Sequence, residues 1–85
     1  MPQVDIYTTP LCGFCHAAKR LLTEKGAAFR EFDLTTDAML RAEMLRRAPG
    51  SRTVPQICIG ATHVGGCDDL YALEDAGKLA PLLAG

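Results

Sequence analysis

The sequence predicts an α/β domain. Four strands form one mixed sheet with helices on both faces, in the order β-α-β-α-β-β-α. Three observations predict it. Short β-branched runs alternate with longer segments whose apolar residues recur at helical spacing. Gly and Pro punctuate the boundaries between them. No repeat, low-complexity stretch or linker interrupts the 85 residues, so a single domain over 1–85 is expected.

Val4-Asp5-Ile6-Tyr7-Thr8 reads as the first strand, ended by Thr9-Pro10. From Gly13 to Lys25, Ala17, Ala18, Leu21 and Leu22 fall on one helical face, with His16, Lys19, Arg20 and Glu24 largely opposite. Gly26 supplies the C-terminal stop. Ala28–Leu34 is the second strand. Thr36 or Asp37 offers an N-cap for a helix to about Ala48, with Met39, Leu40, Met44 and Leu45 as its apolar stripe. Gln56–Gly60 is the third strand and His63-Val64 a short fourth. The turn Gly60-Ala61-Thr62 makes them an antiparallel hairpin. Cys67 or Asp68 is the expected cap of a helix from about Asp69 to Ala76. A last turn or two spans Lys78–Leu83. The helix between the first two strands makes them parallel by the right-handed crossover rule.

Composition excludes several classes. A net charge of −1 argues against a nucleic-acid binder, whose domain is normally basic. A hydrophobic content of 48% is too high for a disordered chain. No apolar run approaches the ~18 residues of a membrane span. The N-terminal residues carry no basic region followed by a long apolar stretch, so the expected location is cytoplasmic, where thiols are kept reduced. The four cysteines, Cys12, Cys15, Cys58 and Cys67, are then read as catalytic, metal-binding or buried rather than as two structural disulfides.

Cys12-Gly13-Phe14-Cys15 falls between a strand and a helix. Cys12 lies at the first helical turn, where unpaired N–H groups and the positive dipole end favour a thiolate. Cys15, three residues on, shares the same face and is close enough for a disulfide. One cysteine attacks and the other resolves; His16 and Lys19 are placed to add positive potential. C-x-x-C is also half of many zinc sites, but no second C-x-x-C exists and Cys58 lies mid-strand as an expected inert core thiol.

Cys12–Cys15 follows the first strand, Thr53-Val54-Pro55 precedes the third, and Gly65-Gly66-Cys67-Asp68-Asp69 opens the last long helix. Together these three motifs resemble the glutaredoxin family, in its small bacterial dithiol form. The resemblance covers nearly the whole chain. It implies the thioredoxin fold and a glutathione-dependent thiol–disulfide oxidoreductase acting on glutathionylated or disulfide-bonded proteins. Glutathione would be a co-substrate, with no tightly bound cofactor. By resemblance Cys12 is the nucleophile, Cys15 the resolving cysteine and Pro55 the family's cis-proline. Thr53 and the backbone of Val54 would dock the cysteine of glutathione as a short β-bridge. Gly66 lets the ligand approach. The N–H groups of Cys67 and Asp68 would take the γ-glutamyl carboxylate, and the Asp68 side chain its ammonium.

Two departures from the family matter. Thr9 stands where many glutaredoxins carry a Lys for the glycine carboxylate of glutathione, so Arg41 or Arg52 is the expected replacement. Gly13-Phe14 stands where Pro-Tyr is common. Phe14 keeps an aromatic lip and, with the apolar surface at Val54, offers a platform for substrate. In the family a missing proline accompanies a [2Fe-2S] cluster shared by two protomers, with Cys12 and a glutathione thiolate from each side as ligands. The chain is therefore expected to be a monomer, or a dimer only when cluster-bound. The alternatives are a non-catalytic iron–sulfur carrier and a thioredoxin-like reductant, although the chain has no Trp.

Overall fold

The computed structural model describes residues 1–85. Its elements are β1 (Val4–Thr8), α1 (Gly13–Glu24), β2 (Phe29–Asp33), α2 (Ala38–Arg47), β3 (Gln56–Ile59), β4 (Thr62–Gly65), α3 (Cys67–Asp75) and α4 (Leu79–Ala84). The sheet order is β2-β1-β3-β4. β1 runs parallel to β2 and antiparallel to β3, and β3 to β4 is the expected hairpin. The two central strands are buried along their whole length.

One face of the sheet is apolar. Val4, Ile6, Ile57 and Ile59 meet Ala18, Leu21 and Leu22 of α1, Leu70 of α3, and Leu79 and Leu83 of α4. Burial of the Val, Ile and Leu side chains, each contributing about 1.5–3 kcal/mol, is the main stabilising force. It fixes α1 and α3 side by side, with both N-termini available to the site.

The opposite face carries α2 and is built differently. Met44 is buried against Tyr7 and Leu34, with Leu40 partly buried beside them. The expected stripe fails for two of its members: Met39 is 72% exposed and Leu45 42% exposed. The inward face is instead Leu40, Glu43, Met44 and Arg47, at i, i+3, i+4 and i+7. The reason lies in the strand beneath. Asp5 and Tyr7 point up from β1, and Arg47 donates to Asp5 Oδ2 at 2.7 Å and to the Tyr7 hydroxyl at 3.0 Å. Tyr7 in turn donates to Glu43 at 3.0 Å. A polar floor selects a partly polar helix face.

The expected cap of α3 also moves. Gly66, not Cys67 or Asp68, is the N-cap, and the Asp69 carboxylate accepts the Gly66 N–H at 2.9 Å. Gly65, at φ +116°, needs to be glycine, because a Cβ there would collide with that carboxylate.

Candidate active site

After β1, residues 9–11 form a short loop leading into α1. Cys12 is the N-cap of α1 in extended conformation, and the Cys15 N–H donates to its Sγ at 3.1 Å. The pair is joined as a disulfide, with Cα atoms 5.2 Å apart. The two sulfurs are not equivalent. Cys12 is half-buried, whereas Cys15 is only 1% exposed, on the buried side of the first turn of α1. Incoming groups therefore meet Cys12 first. Once the pair is reduced, the Cys12 sulfur lies among free N–H groups at a helix N-terminus, which favour an anion. His16 is exposed, with its ring 3.4 Å from the Pro10 carbonyl oxygen. Lys19 does not lend free charge to Cys12: its Nζ is paired with Glu31 on β2 at 3.0 Å. Burial works to raise the Glu31 pKa, but hydrogen bonds from Thr8 and Lys19 prevail and hold it below the usual range.

Across from Cys12 lies the turn before β3, with a cis Val54–Pro55 bond. The Cys12 Sγ sits 3.6 Å from the Val54 carbonyl oxygen. With no thiol hydrogen in the disulfide this is a contact. Val54 makes no backbone–backbone hydrogen bond, so its N–H and C=O remain open to an extended peptide. From this turn a groove of about 430 Å³ runs to the start of α3. Its walls include Phe14, Thr53, Val54 and Pro55 at one end and Gly66, Cys67 and Asp68 at the other. The N–H groups of the first turn of α3 have no partners within the helix and are free to receive an acceptor.

The glutaredoxin family model matches residues 4–64. The chain is 60% identical to a glutaredoxin of Pseudomonas aeruginosa over 84 residues, covering 99% of each chain. It is 53% identical to glutaredoxin 3 of Escherichia coli K12, covering 98% of this chain and 99% of that one. A crystal structure of a buckwheat glutaredoxin–glutathione complex superposes with a TM-score of 0.87 at 31% identity, over 98% of this chain and 77% of that one. The chain belongs to the glutaredoxin family. The mixed sheet and its flanking helices are those of glutaredoxin structures, and Cys12–Cys15 is the redox pair of a thiol–disulfide oxidoreductase.

In this glutaredoxin the groove brings together most of the sequence-predicted ligand residues, namely Phe14, Thr53, Val54, Pro55, Gly66, Cys67 and Asp68. Arg41 and Arg52 are exposed and do not line it, and Thr9 is half-buried outside it. No Lys or Arg lines the groove at all. The Cys67 thiol is pushed up in pKa by burial and by the neighbouring Asp68 charge, so it stays protonated. Burial likewise pushes Cys58 up, the pull of Arg47 notwithstanding. Three groove residues escaped the sequence reading: Ser51, Gln56 and His63. Gln56 carried a signal, being a long polar side chain at the head of an otherwise apolar strand that the structure buries to 5% exposure.

Proposed function

We propose that this glutaredoxin uses glutathione to reduce protein–glutathione mixed disulfides and protein disulfides in the cytoplasm, acting as a monomer. The observation that carries this reading is the 3.6 Å approach of Cys12 Sγ to the Val54 carbonyl. A glutathione moiety paired with the Val54 backbone, its γ-glutamyl end at the α3 N-terminus, brings its sulfur beside Cys12. The Cys12 thiolate attacks that sulfur. The Cys12–glutathione bond forms, the old disulfide breaks, and the protein thiolate leaves and takes a proton. A second glutathione thiolate attacks the glutathione sulfur held on Cys12. Oxidised glutathione departs and the Cys12 thiolate returns. With a protein disulfide, Cys12 attacks first and Cys15 displaces the product, giving the Cys12–Cys15 disulfide, which two glutathiones reduce in turn. The second carboxylate of glutathione has no Lys or Arg in the groove, and Arg41 and Arg52 are the proposed outlying cations.

Turnover of a glutathionylated peptide should run on glutathione with glutathione reductase and fail with thioredoxin reductase as the only electron source. Asp68→Ala should raise KM for glutathione about two- to fivefold, the effect of an exposed ion pair. Turnover driven by thioredoxin reductase instead would defeat the reading. An unchanged KM would reduce Asp68 to part of the helix start.

A second reading, a shared [2Fe-2S] cluster, is favoured by the surface around Cys12. Leu11 is 100% and Phe14 67% exposed, and nothing lies within 4 Å of where a Gly13 side chain would project. A second copy can approach that surface. No cluster of three or more His, Cys, Asp or Glu side chains is arranged to hold a metal ion, and Cys15 is shielded. The residues fit such a group only as one Cys12 thiolate per copy, completed by two glutathione thiolates. Anaerobic reconstitution with iron, sulfide and glutathione should give a coloured dimer. Cys12→Ser should abolish it, Cys15→Ser retain it and Gly13→Pro weaken it. A colourless monomer would sink this second reading alone.

A further inference from the structure

His63 lies on β4 opposite Cys58, so its side chain shares the sheet face of Cys58 and of Gln56, two residues earlier on β3. It also lines the groove beside Val54 that is proposed to receive glutathione. Its Nε2 is 2.7 Å from Gln56 Oε1. The Gln56 amide is oriented by its other end, because Gln56 Nε2 donates to the Thr53 carbonyl at 3.1 Å. Oε1 must therefore accept, and His63 Nε2–H donates. The result is a relay from the edge strand through a buried amide to the residue before Val54. Gln56 is 5% exposed, so few waters can replace a lost donor. The register between β3 and β4 shifts between Ile57 and Cys58, and that bulge sets where His63 meets the groove.

We infer that His63 is a positioning residue for glutathione recognition: through Gln56 it fixes the Thr53–Val54 backbone that receives the substrate. This rests on the proposed docking of glutathione along Val54. It makes no use of the charge on the ring, since Nε2–H donates in the neutral and the protonated form alike. Its requirement is a hydrogen-bond donor at that point.

The test pairs two variants. His63→Phe keeps a planar ring and removes the donor. His63→Gln restores an N–H at similar reach. With a glutathionylated peptide, His63→Phe should raise KM about three- to tenfold, the worth of one part-buried hydrogen bond, with kcat close to the parent value. His63→Gln should recover most of that loss. In the substrate-free protein, the Val54 amide resonance should shift in His63→Phe and return in His63→Gln. A melting curve establishes that both variants are folded. If the Val54 amide does not move, or if both variants behave alike, the positioning role is wrong. If the parent protein itself does not turn over the glutathionylated peptide, the proposed function fails, and the Val54 resonance still decides the role of His63.

Discussion

Cys12→Ser should lose turnover of every disulfide substrate, on the order of 10³-fold or more, because a serine hydroxyl there is an unactivated nucleophile. Cys15→Ser should keep most of its activity toward a glutathionylated peptide and lose it toward protein disulfides. The asymmetry follows from position. Cys12 Sγ accepts the Cys15 N–H at 3.1 Å at the head of α1 and lies 3.6 Å from the carbonyl oxygen of Val54, which lines the groove, whereas Cys15 is 1% exposed. In the proposed function, removal of glutathione from a mixed disulfide needs one thiolate and a second glutathione, and both steps pass through Cys12. Cys15 enters only when the partner on Cys12 is a protein that must be displaced. Steady-state rates of the two variants on the two substrate types check this. If Cys15→Ser were as inactive as Cys12→Ser toward the glutathionylated peptide, the division of labour would be wrong.

The placement behind that expected division, Cys12 at the helix cap and Cys15 buried, was legible because it is local. A strand, a C-x-x-C and an amphipathic helix follow one another in the chain, and the helix N-terminus supplies the chemistry without reference to distant residues. The hairpin of β3 and β4 and the parallel pairing of β1 with β2 were legible for similar reasons, one from a tight turn and one from crossover handedness. The antiparallel pairing of β1 with β3 joins residues about fifty positions apart, and no local pattern encodes it. The face of α2 was misread for a different reason. Hydropathy assigns Glu43 and Arg47 to water and Met39 to the core. The identity of the facing strand decides otherwise, and that strand carries a buried carboxylate. The cap of α3 was misread because Cys67 and Asp68 are acceptable caps in isolation, while Asp69 reaches back to Gly66 only once Gly65 adopts φ +116°. His63 and Gln56 were passed over because a polar pair on neighbouring strands gains meaning only when the groove forms above them.

Asp5 carries the second large effect, on stability. Its carboxylate is 2% exposed and pairs with Arg30 at 2.8 Å and Arg47 at 2.7 Å. Burial acts to raise its pKa, but hydrogen bonds and charge from Arg30 and Arg47 outweigh burial and hold it below its ordinary value of 3.8. Asp5→Ala leaves Arg47 half-buried with only Tyr7 as partner and removes the polar floor that selects the α2 face. The expected loss is about 3 kcal/mol, as for breaking a buried ion pair from one side. For a domain of this size that is a fall in Tm of roughly 10–20 °C. Arg30→Ala should cost far less, because the Arg30 side chain is 60% exposed and Arg47 still neutralises Asp5. The pH dependence follows from the direction of the shift. A carboxyl with a depressed folded pKa binds protons more readily in the unfolded chain. Its stabilisation is complete above about pH 3.8 and is lost as the pH falls through the lower folded value. Thermal melts between pH 7 and pH 2 should therefore show a steeper acid decline for the parent than for Asp5→Ala, the two curves converging at the acid end. A constant gap between them down to pH 2 would mean that Asp5 acts by packing rather than by charge.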